Sequence, residues 1–300
     1  MELLRKTLTD IACFVESYNF VDSDEADALE KFQKVAEELG HSFEFITKRN
    51  LQRIPLYDAL FIRATTDPSY TAYIASKMAY ENDLQVLDDP RSIQICGNKI
   101  HMYKLLQKAG VPFIPTQYVT REELRQETIQ DIFDSLGRPI VLKAPYTSFS
   151  KYVEKTGSEG GFRRICKRFF RRSDVVVVQK FMPTAFDWRV GILGSEVLYV
   201  CKYVIPSGRW KHGTKIRGSN RIVWGNTATM SREDAPEKLK ECAISACNAI
   251  GDGLFGVDLK EIEGEFVVVE VNDNPSIYAG EEDRKDVDIY ERIISYLAKN

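Results

Sequence analysis

The chain has 300 residues, of which 44% are hydrophobic and 28% are charged, and its formal net charge is −3. These values are those of an ordinary soluble globular protein with two or three subdomains. The balanced charge argues against nucleic acid or an anionic membrane as a partner, and no apolar run approaches the roughly 20 residues of a membrane span. Six scattered cysteines, three dispersed histidines and an N-terminus unlike a signal peptide predict a cytoplasmic protein without a Cys- or His-based metal site.

The first 95 residues alternate between two kinds of hydrophobic pattern. Short apolar runs predict strands at Asp10–Glu16, Ser42–Ile46 and Tyr57–Arg63, and amphipathic stretches predict helices at Ser23–Leu39 and Ser69–Asn82. Alternating short β and α elements are typical of an α/β unit with a parallel sheet. We therefore predict an N-terminal α/β domain over residues 1–95, closed by a turn at 88–90.

The rest of the chain has fewer helices between its strands. The predicted helices are Asn98–Ala109, Gly160–Arg172 and Pro236–Gly251, and the predicted strands are Pro139–Lys143, Val175–Gln179, Trp188–Leu193, Val197–Tyr203, Gly256–Ile262 and Phe266–Val271. The last four strands predict a mostly antiparallel β region. We therefore predict two further subdomains, over residues 96–180 and 181–300.

The segment Phe266–Ser276 is a predicted strand that ends in oxygen-bearing side chains. Glu270 and Asn272 are two residues apart, so on a strand they point to the same face, and Pro275 prevents further regular pairing. A carboxylate and an amide oxygen suit a hard cation such as Mg²⁺, which usually also holds nucleotide phosphates. Because Glu270 interrupts a run of valines, the pattern favours a metal site over an ordinary hairpin with charged ends.

Asp258 on the preceding strand is a third candidate ligand, but only in one of two hairpin registers. A two-residue loop pairs Ile262 with Glu265 and turns Asp258 away from Glu270. A three-residue loop with Gly264 in the left-handed conformation sets Asp258 opposite Glu270. We expect the second register, and since opposed carboxylates repel each other, it requires a cation.

The order of these elements resembles the ATP-grasp superfamily, and within it the RimK-like carboxylate–amine ligases. The resemblance covers nearly the whole chain and rests on 256–260 (GVDLK) together with 267–276 (VVVEVNDNPS), with SFS at 148–150 and FDWR at 186–189 as in one RimK-like subgroup. It implies an α/β N-terminal domain followed by an ATP-grasp fold, in which two α+β subdomains clasp ATP. Such enzymes phosphorylate a carboxylate to an acyl phosphate, which an amine then attacks. The implied cofactors are ATP and Mg²⁺ (or Mn²⁺), with Asp258, Glu270 and Asn272 as metal ligands.

The resemblance also implies a set of nucleotide-binding positions. Lys99 and Lys143 match two family lysines that hold phosphates, and an ammonium group suits phosphate oxygens. The phosphate-covering loop has no glycine between Gly137 and Gly157, so the hydroxyls of its two serines would replace part of the usual backbone cradle. The remaining implied positions are Ser148 and Ser150 in that loop, Gln179, Lys180, Phe181 and Met182 at the adenine, and Asp187 at the ribose.

Substrate binding is implied for a second set of positions. Arg189 matches a family arginine near the transferred phosphate and the substrate carboxylate, and is expected to act in catalysis together with Lys143. Lys202 on the next strand fits a similar role. Arg63 ends a strand at the edge where α/β sheets bind ligands, so it is a candidate carboxylate anchor. Asn226 lies in the segment 211–230, which does not keep the RimK pattern of Arg, His and paired Gly, so substrate identity is not carried over from ribosomal-protein glutamylation.

Several interpretations stay open. The leading one is ATP-dependent ligation of an amino acid, such as glutamate, to a peptide or small-molecule carboxylate. The alternatives are a D-alanine-type ligase or a carboxylase, and a non-catalytic ATP-binding regulatory module. The basic stretch Phe162–Arg172 fits either a patch for an acidic partner or a solvated helix face, and we favour the second. A homo-oligomer is left open.

Overall fold

The computed structural model of the chain describes residues 8–146, 152–215, 222–223 and 225–299. Its first sheet is parallel, in the order β2-β1-β3-β4. The strands and α-helices of this part are β1 (Asp10–Phe14), α1 (Ser23–Glu38), β2 (Ser42–Ile46), β3 (Ala59–Ile62), α2 (Thr71–Glu81) and β4 (Gln85–Leu87). The predicted parallel α/β unit is therefore present, with the short β4 as an unpredicted fourth strand.

Two consecutive helices follow the first sheet: α3 (Pro90–Cys96) and α4 (Lys99–Lys108). The Asp89 side chain accepts the backbone N–H groups of Arg91 and Ser92, and Pro90 occupies the first helical turn. Residues 88–90 therefore lead into a helix rather than form a simple turn. Asn98 caps α4 in the same way, which makes Lys99 the first residue of that helix.

The second sheet is antiparallel, in the order β5-β8-β6-β7. The elements of this part are β5 (Thr116–Thr120), α5 (Gln126–Leu136), β6 (Ile140–Lys143), β7 (Val153–Thr156), α6 (Glu159–Phe169) and β8 (Val175–Lys180). On α6, Phe162, Ile165 and Phe169 are buried, while Arg164 and Lys167 are exposed. This amphipathic packing agrees with the interpretation of the basic stretch as a solvated helix face.

The third sheet carries most of the candidate site, and its strands have the antiparallel order β13-β10-β9-β14-β15. The elements of this part are β9 (Phe186–Leu193), β10 (Glu196–Val204), β11 (Thr214–Lys215), β12 (Ile222–Val223), β13 (Thr227–Met230), α7 (Glu237–Asn248), β14 (Leu254–Ile262), β15 (Glu265–Asn272) and α8 (Ile289–Leu297). Every strand predicted in this part is present, within two residues at each end.

The last helix, α8, packs against α1 near the beginning of the chain. Ile289 and Ile293 of α8 lie in one buried cluster with Leu29 and Phe32 of α1, and the same cluster includes Leu254 of β14. The first and third sheets therefore share a hydrophobic core, while the second sheet has its own core with α5 and α6. The boundaries at 95 and 180 stay predictions. No helix in the described ranges is long and apolar enough to cross a membrane.

Candidate active site

The hairpin of β14 and β15 brings Asp258 opposite Glu270, by a route that differs from the predicted one. Ile262 pairs with Glu265, so the loop has two residues, Glu263 and Gly264, both at positive φ (53° and 80°). The prediction of a three-residue loop was therefore wrong. A bulge between Asp258 and Leu259 then shifts the register, because Leu259 pairs with Val268 while Asp258 pairs with Glu270. The expected register at the site is therefore confirmed.

Six polar side chains share one face of the third sheet. Asp258 also pairs with Arg189 across β14 and β9, and Gly256 pairs with Asn272. Because side chains alternate along a strand, the face includes the residues two positions away on each strand. The full set is Asp187 and Arg189 on β9, Asp258 and Lys260 on β14, and Glu270 and Asn272 on β15.

Each carboxylate on this face contacts a cationic side chain. Arg189 donates to Asp258 through two nitrogens, with Nε–Oδ1 at 2.6 Å and Nη2–Oδ2 at 3.0 Å. Lys99 Nζ lies 2.7 Å from Glu270 Oε1. Lys260 Nζ contacts Asp187 Oδ1 and donates to Thr184 Oγ1 at 2.6 Å. The repulsion expected between opposed carboxylates is thus offset by the protein's own bases.

These charges change the protonation behaviour of the buried groups. Burial tends to raise the pKa of Glu270, but Lys99 and Lys143 outweigh this effect and hold the pKa below its ordinary value. Burial lowers the pKa of Lys143, and the nearby Glu270 and Asp258 limit that decrease. The site therefore keeps Glu270 ionised, which both an ion pair with lysine and a metal ion require.

The three predicted metal ligands, Asp258, Glu270 and Asn272, carry carboxylate and amide oxygens. Asn272 Nδ2 donates to the Gly256 carbonyl at 3.2 Å and to Asp258 Oδ2 at 3.3 Å, so these two bonds do not use its Oδ1. Among the described residues no group of three or more His, Cys, Asp or Glu side chains is arranged to hold a metal. The trio contains two carboxylates and one amide, and such hard oxygens fit Mg²⁺ when phosphates supply further ligands.

The two predicted phosphate lysines approach this face from the neighbouring elements. Lys143 is the last residue of β6 and is buried, with its Nζ 3.4 Å from the Tyr103 hydroxyl. Tyr103 in turn donates to the Val269 carbonyl at 2.6 Å. Lys99 and Tyr103 are four residues apart on α4, so they lie on the same side of the helix. Ser148 and Ser150, predicted to cover the phosphates, lie outside the described residues.

The predicted adenine positions lie at the end of β8 and just beyond it. Gln179 is buried and donates to Thr116 Oγ1 at 2.8 Å. The Lys180 backbone N–H donates to the Pro115 carbonyl at 3.0 Å, and its side chain is exposed. Phe181 and Met182 are half-buried, and Lys155 Nζ is 4.1 Å from the centre of the Phe181 ring. Their roles at the adenine stay predictions.

Lys202 does not join the site. It pairs with Trp188, whereas Arg189 pairs with Cys201, so strand alternation sends Lys202 and Arg189 to opposite faces. Lys202 Nζ lies over the rings of Phe186 and Trp188, 4.6 and 4.4 Å from their centres. The expectation that it shares the role of Arg189 was wrong, because neighbouring strands do not imply a shared face.

Arg63 and Asn226 make hydrogen bonds outside the charged face of the third sheet. The Arg63 guanidinium is buried and donates to Asn274 Oδ1 at 2.7 Å and to the Pro275 carbonyl at 3.0 Å. It therefore ties the end of β3 to the loop after β15, and its anchor role stays a prediction. The Asn226 carbonyl accepts the Val204 N–H at 3.0 Å, a backbone contact that leaves its substrate role untested.

Two residues on this face or beside it were not identified from the sequence. Lys260 is two positions after Asp258, and this spacing on a predicted strand was the signal that could have found it. Tyr103 is four positions after Lys99 on a predicted helix, which is an equally simple signal. Both contact residues that were identified.

Comparison with known proteins identifies relatives of this chain. The sequence profile of the family described as D-ala D-ala ligase C-terminus matches residues 105–279. The chain is 25% identical to the Glutamate–LysW ligase ArgX of Sulfolobus acidocaldarius, over 92% of this chain and 93% of that protein. It is 22% identical to the Probable alpha-L-glutamate ligase of Vibrio vulnificus, over 83% of this chain and 79% of that protein.

Solved structures show the same fold. The D-alanine–D-alanine ligase from Bacillus anthracis complexed with ATP has a TM-score of 0.71 and 15% identity, with 97% of each chain covered. The RimK domain ATP-grasp protein from Sphaerobacter thermophilus has a TM-score of 0.69 and 15% identity, over 96% of this chain and 98% of that one. The predicted fold class is therefore confirmed.

Proposed function

Because the chain belongs to the D-ala D-ala ligase C-terminal family of ATP-grasp proteins and is an ATP-dependent ligase, we propose that it joins a carboxylate to an amine through an acyl phosphate. The products are the amide, ADP and phosphate. One observation carries the proposal: Arg189, Asp258, Glu270 and Asn272 share one face of the third sheet, and Lys99 contacts that face. This arrangement supports the proposal, because a metal bound at these oxygens would lie beside cations of the kind that an acyl-phosphate reaction requires.

Asp258, Glu270 and Asn272 would hold Mg²⁺, or Mn²⁺, between the ATP phosphates. Bound there, the metal would neutralise phosphate charge and polarise the transferred phosphoryl group. Asp258 and Glu270 contact Arg189 and Lys99, so both bases would lie beside the phosphates of ATP bound at these carboxylates.

Each base of the site has a distinct role. Lys99 and Lys143 bind the phosphate oxygens as point charges. Arg189 binds the substrate carboxylate and, as it is phosphorylated, the oxygens on which negative charge develops. Asp187 accepts hydrogen bonds from the ribose hydroxyls, and Gln179 to Met182 line the adenine. The predicted role of the loop with Ser148 and Ser150, which lies outside the described residues, is to cover the phosphates and exclude water from the acyl phosphate.

Glutamate is the leading candidate for the amine substrate, with a peptide or a small molecule as the carboxylate. The names of the curated relatives support this choice, since both are glutamate ligases. D-alanine-type ligation is the second candidate, and the family profile itself favours it. The segment 211–230 faces the substrates in RimK-like ligases and departs from their pattern here, so substrate identity is not carried over from ribosomal-protein glutamylation.

The experiment is a product assay with ATP, Mg²⁺ and a pool of carboxylates and amino acids. We expect ADP and phosphate to appear only when both co-substrates are present. Stoichiometric AMP and pyrophosphate would indicate an adenylating mechanism and overturn the proposal. ATP binding without any release of phosphate across the pool would instead favour a regulatory module.

A further inference from the structure

The guanidinium of Arg189 is surrounded by residues of β10 and β14 and of the loop after β15. Its Nε and Nη2 are taken by Asp258, and Nη1 makes no hydrogen bond with the described residues. Nη1 lies close over Gly256: a Cβ atom there would come within 2.7 Å of Nη1 and 2.7 Å of Pro275 Cβ. Nη1 therefore stays available to a ligand, and the absence of a side chain at Gly256 leaves space for this nitrogen.

The ring of Tyr203 supports the same guanidinium from β10. Arg189 Cζ lies 5.2 Å from the centre of the Tyr203 ring, within the range of a cation–π contact. Cys201 pairs with Arg189 and Tyr203 pairs with Asp187, so Tyr203 and Arg189 are diagonal neighbours on one face. The carboxylate of Asp258 constrains the guanidinium along its edge, and the ring adds a contact from a second direction.

Tyr203 is itself held by a buried acid. Its hydroxyl donates to Glu282 Oε1 at 2.8 Å, and the other oxygen of Glu282 accepts the Tyr278 N–H at 2.8 Å. Glu282 is fully buried. The ring of His212 stacks on Tyr203 with 4.6 Å between centroids and 17° between planes. With its hydroxyl and its face both occupied, the ring has little freedom to rotate.

We propose that Tyr203 is a positioning residue, which Glu282 orients and which in turn holds Arg189 with Nη1 directed at the substrate oxyanion. The inference rests on the proposed role of Arg189. In this proposal Tyr203 acts on oxyanion binding through the guanidinium of Arg189, and not through a contact of its own with ATP or the reacting atoms. A purely structural role for Tyr203 would change stability without selectively changing that binding.

The test uses inorganic phosphate as the oxyanion probe, titrated into the complex of the full chain with MgADP. The variants are Tyr203→Leu, which removes the ring, and Tyr203→Phe, which keeps the ring and removes the bond to Glu282. The matched control is Tyr290→Phe. The Tyr290 hydroxyl donates to Asp283 Oδ2 at 3.0 Å, so it binds the next buried acid of the same loop, but its ring packs on Phe32.

We expect Tyr203→Leu to weaken phosphate affinity by about tenfold and Tyr203→Phe by about threefold, the scale of a lost or loosened cation–π contact. The affinity for MgADP should not change in either variant. Tyr290→Phe should lower the melting temperature and leave phosphate affinity unchanged.

The outcomes separate the two proposals. Wild-type phosphate affinity in both Tyr203 variants, or an equal loss in Tyr290→Phe, overturns the positioning role alone. If Tyr203→Leu does not fold, Tyr203→Phe against Tyr290→Phe decides the same question. A wild-type protein that binds MgADP but no phosphate would remove the oxyanion role from Arg189 and, with it, the positioning role of Tyr203. The ligase proposal is decided separately, by the product assay.

Discussion

Arg189 and Lys202 lie on adjacent strands of one sheet, one residue out of step, and their surroundings are opposite. Arg189 reaches a face with three carboxylates and makes a two-nitrogen contact to Asp258. Lys202 reaches the other face, where its ammonium lies over Phe186 and Trp188 and those rings pack against the core. The difference teaches that strand register, and not the presence of a base near the site, decides which cation can take part in the chemistry.

Among the substitutions on the charged face, Glu270→Gln is expected to have the largest effect. Glu270→Gln removes the charge that a cation at this position requires, so we expect turnover to fall by about 10³-fold, near the upper end for a lost electrostatic contact. Product release with ATP and Mg²⁺ measures the effect, and circular dichroism should show an intact fold. Glu265→Gln on the same strand is the control, because Glu265 pairs with Lys238 at the surface. Ordinary turnover in Glu270→Gln at ordinary Mg²⁺ would remove Glu270 from the metal site.

Arg189→Lys keeps the positive charge and removes the planar two-nitrogen contact. We expect kcat to fall by about 10²-fold because a lysine cannot hold Asp258 and an oxyanion at the same time. Steady-state ADP release measures it. Arg53→Lys is the matched control, since Arg53 makes a similar contact to Glu44, at 2.6 and 2.8 Å, on an exposed surface. Full activity in Arg189→Lys would show that charge alone is sufficient.

The nucleoside end of the same face should give a smaller effect. Asp187→Ala removes the predicted ribose acceptor, and we expect ATP binding to weaken by roughly 1–3 kcal/mol. Calorimetry with ATP measures it. Glu261→Gln is a suitable comparison, because Glu261 lies on the opposite face and accepts the Trp188 Nε1–H at 3.1 Å. An unchanged ATP affinity in Asp187→Ala would place the ribose elsewhere.

The sequence predicted the long apolar strands well and the short polar ones poorly. The strands β9, β10, β14 and β15 contain several buried apolar residues, so their assignment as strands is hardly ambiguous. By contrast, β5 (TQYVT) and β7 (VEKT) are short and only partly buried, so they have no period-2 contrast to detect. At the start of α3, Asp89 and Pro90 are signals for a turn and for a helix N-terminus alike.

The site was predicted as a set of residues, and its geometry only in part. Asp258 and Glu270 are opposed because of a one-residue bulge in β15, and such a bulge leaves no mark in the sequence. The two-residue loop that was rejected is the one that forms, and the bulge compensates for it. Lys202 was misplaced for the same reason: its face depends on the pairing of β9 with β10, which sequence spacing within one strand does not determine.

Lys202→Met tests the other side of the comparison and should have the smallest effect. Methionine keeps most of the side-chain stem over Phe186 and Trp188 but removes the charge, so we expect the free energy of unfolding to fall by about 1 kcal/mol, the scale of an exposed cation–π contact. Turnover should stay within about twofold of the wild type, as for a substitution away from the chemistry. Urea denaturation and the ADP assay measure the two quantities on the same preparation. Since Lys202 and Arg189 are both cations on neighbouring strands, a loss of turnover as large as that of Arg189→Lys would mean that Lys202 reaches the phosphates, and that the two faces are not chemically separate.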